Sequence, residues 1–183
     1  MTKKKAIFLD RDGVINHDYG YVGKADDFIF INDSIKALKI LQDKGYKLIV
    51  VTNQAGIGRG FYTENDFHKL MNFMNQELEK YNIHPLSIFF CPHHPDSGLD
   101  SYKYNCDFRK PNPGMILKAT KELNIDLSRS FMVGDKYSDI IAGINAKIHM
   151  NVILGSGRPI EEKDVKIADK FFENLFCFAK WVQ

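Results

Sequence analysis

Ala6-Ile7-Phe8-Leu9-Asp10-Arg11-Asp12-Gly13 is the stretch that decides the fold. Its first four residues are all apolar, which is typical of a short strand buried on both faces of a sheet. Two aspartates separated by one residue follow the run directly, and Gly13 suits the tight turn after them. The stretch therefore places two carboxylates just beyond a buried strand, where open α/β sheets bind ligands.

Short apolar runs and helical patterns alternate along the rest of the chain. Runs rich in β-branched or aromatic residues predict four more strands, at 47–51, 88–90, 131–133 and 152–154. Apolar spacing and capping residues predict helices from Asp33 or Ser34 to Gly45, from 63 to about 81, from 112–113 onward, and over 138–146 and 174–182. This alternation predicts an α/β, Rossmann-like fold, a mostly parallel sheet with helices on both faces.

The composition indicates an ordinary globular protein. The chain has 183 residues, of which 44% are apolar and 26% charged, and its formal charge is +2. So small a charge gives no field that would drive binding to nucleic acid or an anionic membrane. The apolar run before Asp10 is too short for a secretory signal or a membrane span. We therefore expect one domain over residues 1–183, without a large cap domain, cytoplasmic, monomeric, and without nucleic-acid or membrane partners.

Polar residues follow three of the predicted strands: Asp10, Thr52-Asn53 and Gly134-Asp135. An isolated aspartate after a strand is usually a turn residue, but the pair Asp10 and Asp12 suggests more. One carboxylate could attack phosphorus while the other protonates the leaving oxygen and later activates water. Repulsion between the two would be relieved by a divalent cation.

The other strand-end residues suit phosphoryl transfer. The hydroxyl of Thr52 and nearby backbone amides could hold the oxygens of the phosphoryl group. Lys110, in Arg109-Lys110-Pro111, could offset their charge. Asp135 could supply a hard oxygen ligand to magnesium. Asp139, one helical turn further on, is either an outer support of the metal or simply favourable at a helix N-terminus.

Four signatures therefore follow one another along the chain: Asp10-Arg-Asp12, Thr52-Asn53, Arg109-Lys-Pro111 and Gly134-Asp135. In this order they resemble the signatures of the haloacid dehalogenase superfamily of phosphatases. The resemblance implies that Asp10 is the nucleophile and Asp12 the general acid and base. It also implies that magnesium is held by Asp10, the carbonyl of Asp12 and Asp135. Thr52 and Lys110 would stabilise the transferring phosphoryl group.

The segment 91–110 has little periodicity and looks like a metal-binding insertion. Cys91-x-His93 with Cys106 and a cysteine at 108 would make a tetrahedral zinc site, but position 108 is Phe. Zinc held by Cys91, His93 and Cys106, with water or His94 as fourth ligand, is one interpretation. The other is a lost site in which Phe108 packs in place of the metal. A Cys91–Cys106 disulfide is disfavoured in a reducing compartment.

A narrower resemblance covers nearly the whole chain. Cys91-Pro-His-His-Pro95, Cys106-Asp-Phe-Arg-Lys-Pro-Asn-Pro-Gly-Met115, Gly20-Tyr-Val22 and Thr52-Asn-Gln-Ala-Gly-Ile-Gly-Arg-Gly60 are similar to the D-glycero-D-manno-heptose-1,7-bisphosphate 7-phosphatases. That family usually carries cysteine where this chain has Phe108.

The narrower resemblance implies the substrate, a sugar phosphate. The reaction would release the 7-phosphate and leave the 1-phosphate used for nucleotide-activated heptose in surface polysaccharide such as lipopolysaccharide. Arg109 would hold the distal phosphate with its planar fork of donors, and Lys136 would contact substrate from the Asp135 side. The full set of residues expected to bind substrate is Asp18, Tyr19, Gly20, Tyr21, Asn53, Gln54, Ala55, Arg109 and Lys136.

The sequence favours the heptose phosphatase over three other functions. Histidinol-phosphate phosphatases share the acid pair and the cysteine loop, but Gly20-Tyr-Val22 and the paired histidines fit the heptose branch better. A nucleotide-binding loop at Gly56-x-Gly58-x-Gly60 lacks the spacing of known phosphate loops. A catalytically silent binding module is disfavoured because Asp10, Asp12, Lys110 and Asp135 are all present.

Overall fold

A six-stranded, all-parallel sheet forms the centre of the computed structural model, which describes residues 2–158 and 161–183. The strands are β1 (Ala6–Leu9), β2 (Lys47–Asn53), β3 (Ser87–Cys91), β4 (Phe131–Gly134), β5 (Met150–Leu154) and β6 (Lys170–Phe172). Their order across the sheet is β3-β2-β1-β4-β5-β6. The predicted α/β class and parallel sheet are confirmed.

Helices cover both faces of the sheet because successive side chains of each strand point to opposite sides. Ile7 and Leu9 of β1 face one apolar cluster, and Ala6 and Phe8 face the other. The helices are α1 (Ser34–Asp43), α2 (Ala55–Gly58), α3 (Glu64–Glu79), α4 (Gly114–Leu123), α5 (Tyr137–Asn145), α6 (Glu162–Ile167) and α7 (Leu175–Trp181). The first cluster takes its helical residues from α1, α2, α3 and α7, and the second from α4 and α5.

Of the five predicted helix starts, those of α3 and α7 agree with the sequence signals, and α5 begins one residue earlier than predicted, at Tyr137. Thr63 and Asp66 form the expected capping box at α3, and Asn174 accepts from the N–H of Cys177 at α7. At α1, Asp33 has a left-handed φ of 62° and forms no cap bond, so the prediction of a capping side chain there is wrong. At α4 the first helical residue is Gly114, one position after the proline expected to hold it.

The strand order creates the crevice for the site. Chain connections run to opposite sides at β1, so the loops after β1 and β4 leave in different directions and open a gap between the two strand ends. Leu9 pairs with Val133, and the N–H of Asp10 donates to the carbonyl of Val133 at 3.0 Å. The residues that follow β1 and β4 are thereby held side by side.

None of the described helices combines the length and apolar character that crossing a bilayer requires.

Candidate active site

Asp10 lies at the floor of the crevice, almost completely buried. Its Oδ1 accepts the backbone N–H of Arg11 at 2.8 Å and pairs with Lys110 Nζ at 2.9 Å. Burial alone would raise the pKa of this carboxyl, but the charges of Lys110 and Lys136 outweigh burial and lower it. Asp10 is therefore ionised and can act as a nucleophile.

Lys110 is a buried cation with three oxygen partners. Its Nζ lies 2.9 Å from Asp10 Oδ1 and 2.7 Å from Asp139 Oδ1, and it donates to the carbonyl of Val51 at 2.8 Å. Burial would lower the pKa of Lys110, but the two carboxylates raise it. The side chain of Asn53 holds the backbone of Lys110 through two hydrogen bonds of 3.0 Å. The lysine is thus fixed beside the nucleophile.

Asp135 has the environment of a cation ligand. It is 1% exposed, and neither carboxylate oxygen has a hydrogen-bond partner among the residues that the structure describes. Burial, reinforced by Asp139 and Asp10, raises its pKa to about 8. A Cβ at Gly13 or Gly157 would come within 2.4 Å or 2.2 Å of its Oδ2, so both glycines leave room for this side chain. Oxygens of Asp10, Asp135 and Asp139 lie within 4.8 Å of one another, which fits a magnesium ion.

Asp12 is held by donors on both of its oxygens. Oδ1 accepts from Arg11 Nε and Nη2 and from Asn16 Nδ2, and Oδ2 accepts from Gln54 Nε2 at 3.1 Å. The same Gln54 nitrogen donates to Thr52 Oγ1 at 2.8 Å. The carboxylate predicted to move protons is therefore linked to the hydroxyl predicted to hold the phosphoryl group.

A cavity of about 420 Å³ opens above these groups. Its basic wall contains Arg59, Arg109 and Lys136. Lys136 Nζ pairs with Asp18 Oδ2 at 2.9 Å, and the Arg59 guanidinium donates to the Tyr21 hydroxyl. The lining residues are Asp12, Asp18, Gly20, Tyr21, Asn53, Gln54, Ala55, Gly56, Arg59, Tyr62, His94, Arg109, Lys136 and Ser138.

Most residues expected to bind substrate lie on this cavity, and one does not. Tyr19 is 65% exposed, stacks on His17 with ring centroids 5.8 Å apart, and does not line the cavity. Asn53 lines it, but both polar atoms of its side chain already bond the backbone of Lys110.

Four residues at the site have no role predicted from the sequence: Arg11, Asn16, Arg59 and Tyr62. Arg59 had a signal, because it lies inside the quoted run Gly56–Gly60. Arg11 lies between the two aspartates and Asn16 four residues after Asp12, but nothing in the sequence shows that their side chains bond Asp12. Tyr62, whose hydroxyl donates to Gln54 Oε1 at 2.6 Å, had no sequence signal.

Comparison with known proteins agrees with this geometry. The chain is 47% identical over 180 residues to D-glycero-β-D-manno-heptose-1,7-bisphosphate 7-phosphatase of Pasteurella multocida, covering 98% of this chain and 97% of the relative. It is 43% identical to the Escherichia coli K12 protein of the same name, covering 93% and 89%. The chain belongs to this phosphatase family.

Two further matches support the membership. A family model described as polynucleotide kinase 3 phosphatase matches residues 6–175. A crystal structure of D,D-heptose 1,7-bisphosphate phosphatase from B. bronchiseptica, complexed with magnesium and phosphate, superposes with a TM-score of 0.81. It is 27% identical, and the match covers 96% of each chain. The chain is thus a phosphatase of the haloacid dehalogenase type.

Relative to the pattern expected of this phosphatase family, segment 91–110 is one cysteine short. Ligand atoms of Cys91, His93 and Cys106 lie within 4.8 Å of one another. Cys91 Sγ is 3.7 Å from His93 Nδ1, near the roughly 3.6 Å that zinc–ligand bonds of about 2.3 and 2.0 Å give at a tetrahedral angle. Burial, reinforced by neighbouring Cys106, raises the pKa of Cys91 to about 12, so the uncomplexed thiol keeps its proton.

The fourth position of this cluster offers no ligand. Phe108 packs against the apolar cluster beneath α4, with Lys118 Nζ 5.6 Å from its ring centroid. His94 faces the catalytic cavity, and its Nδ1 is engaged by Ser97 Oγ at 3.0 Å and by the N–H of Asp96. Among the described residues, His94 is not part of the group of converging ligand atoms formed by Cys91, His93 and Cys106.

Proposed function

We propose that this chain hydrolyses the 7-phosphate of D-glycero-β-D-manno-heptose 1,7-bisphosphate and serves the synthesis of nucleotide-activated heptose for surface polysaccharide. The observation that carries the proposal is the convergence of Asp10, Asp12, Lys110 and Asp135 at the ends of β1 and β4. The names of the close relatives supply the substrate and its β anomer.

Two carboxylates would divide the chemistry. A carboxylate oxygen of Asp10 attacks phosphorus while Asp12 gives a proton to the departing sugar oxygen, leaving an aspartyl phosphate. Asp12 then takes a proton from water as the water attacks phosphorus, which releases inorganic phosphate and restores Asp10. Lys110 offsets the charge on the phosphoryl oxygens. Thr52 Oγ1 already accepts from Gln54, so its own proton remains available for a phosphoryl oxygen.

We assign magnesium to Asp10, the carbonyl of Asp12 and Asp135. The buried, unpartnered oxygens of Asp135 support its place in the set, because a carboxylate in that environment is costly without a cation. Asp139 pairs with Lys110 and so holds the lysine in place. Bound magnesium supplies positive charge that offsets the anionic phosphoryl group.

The basic wall would select a substrate with a second phosphate. Arg109 and Arg59 lie close enough that the charge of Arg59 adds to burial in lowering the pKa of Arg109. A second phosphate between the two guanidiniums would relieve this repulsion and accept charge-assisted hydrogen bonds. Lys136 would face the substrate from the opposite side, and Asp18 would fix its position.

We also propose that segment 91–110 binds zinc weakly, through Cys91, His93 and Cys106. The converging ligand atoms support binding, and Phe108 removes the thiolate that would complete a structural site.

The experiment that tests the function compares kcat/KM, with magnesium, for both anomers of the heptose bisphosphate, histidinol phosphate and a 3′-phosphorylated oligonucleotide. The last two represent the rival phosphatase and the description of the matching family model. We expect a large preference for the β anomer, and loss of turnover in Asp10→Asn. Comparable turnover of histidinol phosphate or the oligonucleotide would reject the proposed substrate, and more than a few per cent residual activity in Asp10→Asn would reject the nucleophile.

A further inference from the structure

The two oxygens of Asp12 are not equivalent. Oδ1 accepts from Arg11 Nε at 3.1 Å, Arg11 Nη2 at 2.7 Å and Asn16 Nδ2 at 2.9 Å, whereas Oδ2 accepts only from Gln54 Nε2 at 3.1 Å among the described residues. A carboxylate has about four acceptor positions, so Oδ1 is filled and Oδ2 keeps one position open. Asp12 lines the cavity, so Oδ2 is the oxygen available to substrate and water.

The amide of Gln54 is fixed by its three partners. Nε2 donates to Asp12 Oδ2 and to Thr52 Oγ1, and Oε1 accepts from the Tyr62 hydroxyl at 2.6 Å. The reversed amide would turn its oxygen toward the Asp12 carboxylate and its NH₂ group toward Tyr62. Gln54 is 2% exposed, so water cannot replace a lost partner without cost.

The ring of Tyr62 is wedged between two glycines. A Cβ at Gly23 would lie 2.4 Å from Tyr62 Cδ1, and a Cβ at Gly56 would lie 2.5 Å from its Cε1. Neither glycine has a positive φ, so it is the closeness of the ring that requires glycine at both positions. Burial raises the pKa of Tyr62 to about 12, and its hydroxyl therefore remains a donor in neutral solution.

We propose that Tyr62 is a positioning residue for catalysis: through Gln54 it holds Asp12 so that Oδ2 carries the proton between leaving oxygen and water. The inference deepens the proposed function and rests on the assignment of Asp12 as general acid and base. Without the Tyr62 hydroxyl, Gln54 Oε1 loses its donor, the amide can turn, and the hydrogen bond that holds Asp12 Oδ2 weakens.

The two chemical steps depend on this hold to different degrees when the leaving group is p-nitrophenolate. In the first step Asp10 forms a bond to phosphorus, and the nitrophenolate departs as a stable anion that needs no proton. In the second step water attacks phosphorus, its proton passes to Asp12 Oδ2, and the bond from phosphorus to Asp10 breaks. Loss of positioning should therefore slow the second step alone.

The test is rapid-mixing kinetics of p-nitrophenyl phosphate hydrolysis, with magnesium, by the full chain and by Tyr62→Phe. We expect the variant to release about one nitrophenolate per active site in a burst as fast as the wild-type first turnover. Steady state should then be on the order of tenfold to a hundredfold slower, the loss typical of a displaced catalytic group. KM should fall with kcat, because the aspartyl phosphate accumulates.

Tyr81→Phe is the matched control, because it removes the same atom from an exposed tyrosine after α3. It should behave as wild type, and both variants should keep the wild-type circular dichroism spectrum. An unchanged steady-state rate in Tyr62→Phe would overturn the proposal, and so would a burst that slows together with the steady state. Failure of the wild type to hydrolyse any phosphate monoester would instead reject the proposed function itself.

Discussion

Replacing Asp135 by asparagine tests whether the buried carboxylate binds a cation and, without that cation, lowers the stability of the fold. Its two oxygens have no hydrogen-bond partner within residues 2–158 and 161–183, and burial together with Asp139 and Asp10 raises its pKa to about 8. In the unfolded chain the pKa of aspartate is about 3.9. Between these two values the native state binds more protons than the unfolded state. The magnesium-free protein should therefore lose stability as pH rises from about 4 to about 8.

The magnitude follows from the two pKa values. At ~1.4 kcal/mol per pKa unit, the carboxylate costs about 5 kcal/mol of unfolding free energy at pH 8 and about 2 kcal/mol at pH 5. An asparagine in the same place buries an unpartnered polar group much as the protonated carboxyl does, so this cost is shared by both proteins. Asp135→Asn avoids only the cost of ionisation, and should be about 5 kcal/mol more stable than wild type at pH 8 and about 2 kcal/mol at pH 5.

The assay is urea unfolding of both proteins at pH 5 and pH 8, with a chelator and with magnesium. Magnesium should stabilise the wild type, by about 2.7 kcal/mol at a hundredfold excess over its Kd, and should leave the variant nearly unchanged and inactive. Asp26→Asn, at an exposed position, is the control and should change neither profile. A variant no more stable than wild type at pH 8 without magnesium would refute the reasoning, as would an advantage that does not grow with pH.

Three further substitutions test the remaining assignments. Arg109→Lys keeps the charge but loses the planar fork of donors, so KM for the heptose bisphosphate, measured by initial-rate kinetics, should rise about tenfold. KM for p-nitrophenyl phosphate should not change. The control is Arg129→Lys, at an exposed position. Lys110→Met leaves two buried carboxylates without their cation, so activity should vanish and urea unfolding should show a loss of about 3–5 kcal/mol; full activity would contradict its role. Phe108→Cys should raise the zinc content, measured by atomic emission, from below one toward one zinc per chain, whereas Phe108→Leu should not raise it. One full zinc per chain in the unaltered protein would contradict the proposal that segment 91–110 binds zinc weakly.

Sequence patterns reveal strands in proportion to how much of each strand is buried. The residues of β1 and β4 are all buried, so their apolar runs are unbroken and both strands were predicted. Strand β6 (Lys170–Phe172) is at the sheet edge, and its first two residues are exposed. It was missed because an edge strand of three residues needs no apolar run. Helix α6 was missed because its sequence, Glu-Lys-Asp-Val-Lys-Ile, is mostly polar and shows no helical spacing of apolar residues.

The sequence predicts which side chains lie close together where each side chain directly follows its strand. Asp10 and Asp135 sit at strand ends, so topology alone brings them together. Arg11 shows the limit of that reasoning: between two aspartates it reads as a solvated charge, yet it is fully buried and donates to the carbonyl of Val22 at 2.7 Å. Its place is set by tertiary contacts, as is the contact of Lys110 with Asp139, and local sequence contains no trace of either.

The charges of the cavity are arranged by depth, and this arrangement bears on the choice of substrate. Asp10 and Asp135 are buried at the floor, below the residues that line the cavity, and a cation bound there would attract the reacting phosphate. The wall carries Arg59, Arg109 and Lys136, which attract anions at all times. A monophosphate can satisfy only one of these regions. A sugar with phosphates at both ends can satisfy both, with the reacting phosphate at the magnesium-bound floor and the other at the wall. We therefore expect the enzyme to prefer bisphosphates to monophosphates.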